Sequence, residues 1–168
     1  MFGRKKIQMV FAVFILSICL LLMSGCKSRK AAMDTPRLTE FATKYTEAWC
    51  SQNAASVASF FAENGSLQIN DGEPSVGRAA ITEAAQGFMT AFPDMVVEMD
   101  SLSINDVNHA EYHWILTGTN TGPGGTGKAL RISGYEEWTF DPDGLIAESK
   151  GHFDAGDYQR QLEHGPPE

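Results

Sequence analysis

The chemistry this sequence could perform is concentrated in one hairpin near its end. Asp141-Pro142-Asp143-Gly144 suits a type I turn with Gly144 left-handed, closing a three-residue loop with a bulge. In that register Asp141 opposes Leu145, and the pairs run Phe140 with Ile146, Trp138 with Glu148, Glu136 with Lys150, Gly134 with His152 and Ile132 with Asp154. One face then mixes Phe140, Trp138, Ile132 and Ile146 with Asp154, His152, Glu148, Glu136 and Lys150. Apolar walls around a few ionisable groups suit acid/base work, because burial raises a carboxyl pKa towards the working pH. A four-residue loop would shift the register by one and split these groups between faces.

Each candidate also has an ordinary structural role. Asp154, before Ala-Gly-Asp-Tyr, is either a proton-transfer carboxyl or the N-cap of a closing helix. His152 is a proton carrier in a pocket or a half-exposed strand residue. Glu136 and Lys150 read as a cross-strand ion pair. His113 alternates with Trp114 and so faces the other side of the sheet, and Cys50 beside Trp49 reads as a buried structural thiol. His109, His113 and His152 lack helical metal-ligand spacing, Asp141-x-Asp143-Gly144 lacks the rest of a calcium loop, and Gly122–Gly127 has no Gly-Lys-Ser/Thr ending. No metal or other cofactor is expected.

The elements that would hold these groups are legible in the periodicity. Thr35-Pro36 looks like an N-cap and first helical residue, and Leu38, Phe41, Tyr45, Ala48, Trp49 and Gln52 share one helical face. Asn53 caps a second helix carrying Val57, Phe60 and Phe61, which Gly65 ends, and residues 66–70 read as a strand. A third helix covers 78–90 and stops at Phe92-Pro93-Asp94. Then come four long strands, 95–104, 110–120, 128–140 and 145–153, with short connections that imply an antiparallel meander. Tyr158, Gln161 and Leu162 suggest a short closing helix.

Three helices, one early strand and a meander make an α+β layout. The expected fold is a curved antiparallel sheet wrapped around about three helices, a cystatin-like cone with an apolar interior pocket.

The N-terminus has a different character. Arg4, Lys5 and Lys6 precede an almost uninterrupted apolar run from Ile7 to Met23, and Ser24-Gly25-Cys26 supplies small residues for cleavage. This order resembles a bacterial lipobox, in which cleavage precedes a cysteine that takes lipid such as palmitate; an uncleaved anchor is the other reading. Either one makes the membrane a partner through the N-terminus and gives an extracytoplasmic address. The expected organisation is signal peptide 1–25, tether 26–35, one domain 36–163 and tail 164–168. Removing Arg4, Lys5 and Lys6 from 13 basic residues leaves 10 against 21 acidic ones, a net charge of −11. That excess argues against nucleic acid as a partner.

The second half of the chain resembles the SnoaL-like polyketide cyclases of the nuclear-transport-factor-2-like superfamily. The resemblance rests on Trp114-Ile115-Leu116-Thr117-Gly118-Thr119-Asn120-Thr121-Gly122, Thr126-Gly127, Gly144-Leu145-Ile146-Ala147-Glu148, Phe153-Asp154 and Gln161-Leu162. Gly77-Arg78-Ala79-Ala80-Ile81 and Phe92-Pro93-Asp94 fit the same template, over about residues 38–162. It implies a cone with a deep pocket, often dimeric through the outer sheet face, with Asp154 matching the cyclases' acid/base aspartate. Asn120 stands where the family commonly has His, and Lys150 where it commonly has Trp. The expected site is therefore Asp154 and His152 for catalysis, with Trp138, Asn120, Trp114 and Glu148 on a small hydrophobic ligand. Asn120 either orients a ligand carbonyl or closes a strand-end turn. Two functions follow: acid/base cyclisation, isomerisation or dehydration, or non-catalytic binding of a ligand or partner outside the cytoplasm.

Overall fold

Four helices and six strands follow one another in the computed structural model, which describes residues 34–106 and 108–167. They are α1 (Thr35–Cys50), α2 (Ala54–Ala58), β1 (Phe61–Ile69), β2 (Ser75–Val76), α3 (Gly77–Ala91), β3 (Val96–Asp106), β4 (His109–Thr119), β5 (Ala129–Phe140), β6 (Ile146–Phe153) and α4 (Ala155–His164). The expected signal peptide, Cys26 and most of the expected tether lie outside the described residues.

The sheet runs β2-β1-β6-β5-β4-β3. β3 to β6 form the expected antiparallel meander, each strand pairing with the one before it across a short connection. β1 joins β6 in parallel, so the sheet is mixed, curved and unclosed rather than wholly antiparallel.

The early elements differ from the sequence expectation in detail. Asp34, not Thr35, is the N-cap of α1, its Oδ1 accepting from Arg37 N at 3.1 Å. The second helix stops at Ala58, and Phe61 already pairs with Ile146 in β1; burying that ring in the sheet outweighs continuing a five-residue helix. Gly65 therefore lies inside a strand, its Cα too close to the Ile146 carbonyl to carry a side chain. Two-residue β2 carried no readable signal.

α1 lies along the concave face and buries Leu38, Ala42, Tyr45 and Ala48 completely or nearly so. Its Tyr45 meets the sheet edge-on at Trp138, with ring centroids 5.2 Å apart, and Trp138 stacks on Tyr112 of β4 at 4.8 Å. Phe41 adds edge-to-face contacts with Phe60, Trp138 and Phe140. Cys50 fastens the end of α1 to β3: its thiol donates to Val97 O at 3.3 Å and its sulfur accepts from Val97 N at 3.2 Å.

α4 closes one end of the cone. The Gln161 amide pairs with both the N–H and the C=O of Arg131, at 2.8 and 2.9 Å, as if it were one more strand residue.

Candidate functional site

The turn of the last hairpin forms as its sequence predicts. Gly144 has φ 77°, Asp141 N donates to Leu145 O at 2.9 Å, and Phe140 faces Ile146. One residue further the register slips. Thr139 faces Glu148, so β6 advances two residues while β5 advances one, a β-bulge at Ala147. With a side-chain period of two, this slip turns every later β6 residue over. Trp138 now faces Ser149, Glu136 faces Gly151 and Gly134 faces Phe153.

The expected single-faced cluster is thereby split. Ile132, Glu136, Trp138, Phe140 and Ile146 point into the cone, while Glu148, Lys150 and His152 line its outside. The Glu136–Lys150 ion pair does not form: Lys150 Nζ lies 3.4 Å from Glu148 instead, and Glu136 is buried. Sliding Ser149 and Gly151 inward in place of Glu148 and Lys150 spares the interior two charges, which is the physical reason for the bulge.

Asp154 is exposed and caps α4, Oδ1 accepting from Asp157 N at 2.9 Å. His152 Nε2 lies 3.1 Å from Glu137, and its ring stacks on Tyr135 at 4.7 Å, with His113 on the other side of that tyrosine at 5.5 Å. The two residues do come together, but along an open outer concavity of about 570 Å³ that includes His113, Tyr135 and Asp100. Asn120 is buried as a loop organiser, with Oδ1 accepting from Thr126 N at 2.8 Å and Nδ2 donating to Ala91 O at 3.2 Å. Of the expected ligand residues, Trp114 lines the interior cavity, while Trp138 is buried in the core and hydrogen-bonded to Glu136.

Inside the cone the carboxyl that matters is Glu136. Its Oε2 accepts from Ser149 Oγ at 2.6 Å, Trp138 Nε1 at 2.8 Å and Tyr45 Oη at 3.0 Å. Oε1 receives only the longer branch from Tyr45, at 3.3 Å, and so keeps lone pairs for another partner. Burial pushes the Glu136 pKa up, against the opposing pull of the three hydrogen bonds. Tyr45 is raised far above the ordinary phenol value by burial and by Glu136, so it stays a hydroxyl donor. Tyr112, also raised by burial, shares a 2.7 Å hydrogen bond with Thr46. The cavity beside Glu136 measures about 60 Å³, and Trp49, Phe88, Trp114, Tyr112 and Phe153 are among its walls.

Sequence reasoning put Glu136 on the right face but gave it the wrong role. The signal was present: Leu130, Ile132, Glu136, Trp138 and Phe140 alternate inward around bare Gly134, so a carboxyl in that row is a buried one. That volume has room for only about two waters, well below the ~300 Å³ of ordinary small-molecule pockets. Trp114, Phe88 and Phe153 in its lining are half-buried. Among the described residues no cluster of His, Cys, Asp and Glu could hold a metal.

A mixed sheet wrapped on helices around one buried carboxyl defines the class of the domain. The family model for the SnoaL-like domain matches residues 42–149, more than half of the sequence, and the chain belongs to that family.

Similar solved structures agree on the fold. A hypothetical protein with a ketosteroid isomerase-like fold from Catenulispora acidiphila, in complex with trimethylamine, is 16% identical with TM-score 0.66, covering 76% of this chain and 94% of its own. An epoxide hydrolase/cyclase-like enzyme of pyran ring formation in the polyether salinomycin is 20% identical with TM-score 0.64, covering 74% and 95%. A cystatin-like protein of unknown function from Methylobium petroleophilum is 18% identical with TM-score 0.60, covering 74% and 80%. No curated protein matches the sequence.

Proposed function

We propose that the cone binds a small, mostly apolar molecule and that Glu136 exchanges a proton with it, in a domain held at the extracytoplasmic face of a membrane by lipid on Cys26. The observation that carries the first half is the buried carboxyl whose Oε2 accepts three hydrogen bonds while its Oε1 has only the 3.3 Å branch from Tyr45. A fixed carboxyl with a raised pKa can take a proton from an enolisable C–H or a hydroxyl and return it, the step shared by cyclisation, isomerisation and dehydration. The salinomycin relative is described as acting in ring formation, which supports chemistry of this class. Asp154 and His152 are not assigned the step, since their side chains face away from the interior. Two copies would meet through the outer sheet face, as the family resemblance implies.

Non-catalytic binding is the second reading, favoured by a cavity of about 60 Å³ that a polyketide-sized substrate would have to force open. Small molecules that co-purify with the protein, identified by mass spectrometry, test both readings. Glu136→Gln is expected to change retention or conversion of that molecule, whereas Asp154→Asn and His152→Gln leave both as in wild type. The reverse pattern would return the site to the outer concavity.

The lipid anchor rests on the basic, apolar and small-small-Cys order of residues 4–26. Expressed in a bacterium, the wild type should partition into detergent and its processing should be globomycin-sensitive. Cys26→Ser should accumulate unprocessed, and normal cleavage and release of that variant would exclude lipidation.

A further inference from the structure

Among the described residues, one buried side-chain nitrogen or oxygen lacks a hydrogen-bond partner: Nε1 of Trp114. A donor sealed from water and left unpaired is costly, so such an atom calls for a reason. Trp138, the other indole at this end of the sheet, spends its N–H on Glu136. Trp114 has no such outlet, yet its side chain forms part of the wall of the same cavity as Glu136.

The surrounding sequence is arranged for this indole. On the concave face Trp114 sits between Met99 of β3 and Gly134 of β5. A Cβ at Gly134 would collide with the Trp114 ring and with the His152 carbonyl, so the glycine is what lets the indole lie across β5. There it meets Phe153 at 6.3 Å, edge to face. Trp114 is half-buried, unlike the fully buried Trp138, so it belongs to the part of the wall nearest solvent.

We propose that Trp114 Nε1–H is the polar anchor of the interior's ligand, which is therefore a compact apolar molecule bearing a neutral acceptor oxygen, a ketone or ester carbonyl. This rests on the interior being the binding site proposed above. An indole N–H only donates, so a hydrocarbon or an ammonium ion would leave it unpaired. A carboxylate would bring a second negative charge beside Glu136, which a carbonyl avoids. With the carbonyl oxygen on Trp114, an acidic C–H beside the carbonyl can face Glu136. Deprotonation there breaks the C–H bond, places the proton on Oε1 and sends the electron pair towards the oxygen that the indole N–H holds. In a ligand whose acidic carbon also adjoins a C=C bond, return of the proton to the far carbon of that bond shifts the double bond and restores the carbonyl, an isomerisation without any outside reactant.

A matched pair of probes tests this: cyclohexanone, and methylenecyclohexane, which has the same shape with CH2 in place of the carbonyl oxygen. The full chain, purified in detergent with 15N-labelled tryptophan, gives indole signals from three tryptophans, and Trp114→Phe assigns the one in question. Cyclohexanone is expected to shift the Trp114 indole proton downfield and saturably, while methylenecyclohexane does not. Trp114→Phe should weaken cyclohexanone about tenfold and leave methylenecyclohexane unchanged, the loss expected for one hydrogen bond.

An unmoved Trp114 signal on addition of the ketone, or equal affinity of wild type and Trp114→Phe for it, would overturn the proposal. A Glu136→Gln arm separates the two readings. If ketone affinity depends on Glu136 but not on Trp114, the anchor is wrong and the interior site stands. If neither variant alters it and no interior signal moves, both are wrong.

Discussion

Replacing Trp138 by alanine is expected to cost about 3–5 kcal/mol of stability, the range for deleting a large buried aromatic. Trp138 is 1% exposed and sits where four rings converge: Tyr112 stacked on it, with Tyr45, Phe41 and Phe140 edge-on. Truncation would remove those contacts and also one of the donors that hold Glu136 Oε2. Trp138→Phe separates the two losses, since it keeps most of the packing and gives up the hydrogen bond alone, at about 1–3 kcal/mol. Denaturant midpoints measured for both variants check this. A loss below about 1 kcal/mol for Trp138→Ala would mean that the face of β5 has been misassigned.

The second large effect belongs to Glu136. Its pKa in the folded chain lies above the ordinary carboxyl value of 4.5, because burial disfavours the charge. Between that ordinary value and the raised one, the folded state holds a proton that the unfolded state has released. Stability therefore falls as pH rises through this window. The contribution is fully present below pH 4.5 and lost once pH has passed the folded value.

Glu136→Gln should flatten that part of the pH profile in urea unfolding measured from about pH 4 to 8. The same substitution removes the proton-carrying group, so any turnover assigned to the interior should drop about 10²–10⁴-fold. An unchanged pH slope together with unchanged turnover would contradict both roles.

Much of this fold was readable before any coordinates. The long strands announced themselves by β-rich runs between turn residues, and each of β3 to β6 begins and ends within two residues of its expected limits. The Asp-Pro-Asp-Gly turn was right down to the left-handed Gly144 and the facing of Phe140 by Ile146. The single-faced cluster was lost one residue later. Nothing local in Ala147-Glu148 marks a bulge, because it is selected by what the interior will accept: Ser149 and Gly151 inside, Glu148 and Lys150 out. A single inserted residue moved His152 to the outer face and left Asp154 as a cap, since register is a tertiary choice imposed by burial.

The helical side shows the same division. The face of α1 was legible from its spacing, and Tyr45 was on it. That its hydroxyl would end on a carboxyl 91 residues away was not, because only the packed cone brings α1 and β5 together.

Proton exchange in the interior depends on the protonation of Glu136. A titration of 13C-carboxyl-labelled glutamate by NMR, with the Glu136 signal assigned from Glu136→Gln, reads it directly. The expected result is one glutamate titrating above 4.5, its midpoint raised further by Tyr45→Phe, which removes a hydrogen bond that favours the carboxylate, and unchanged by Asp154→Asn. A Glu136 carboxyl that titrates at or below 4.5 would mean that its three hydrogen bonds outweigh burial, leaving a charged structural group too weakly basic to take up a proton.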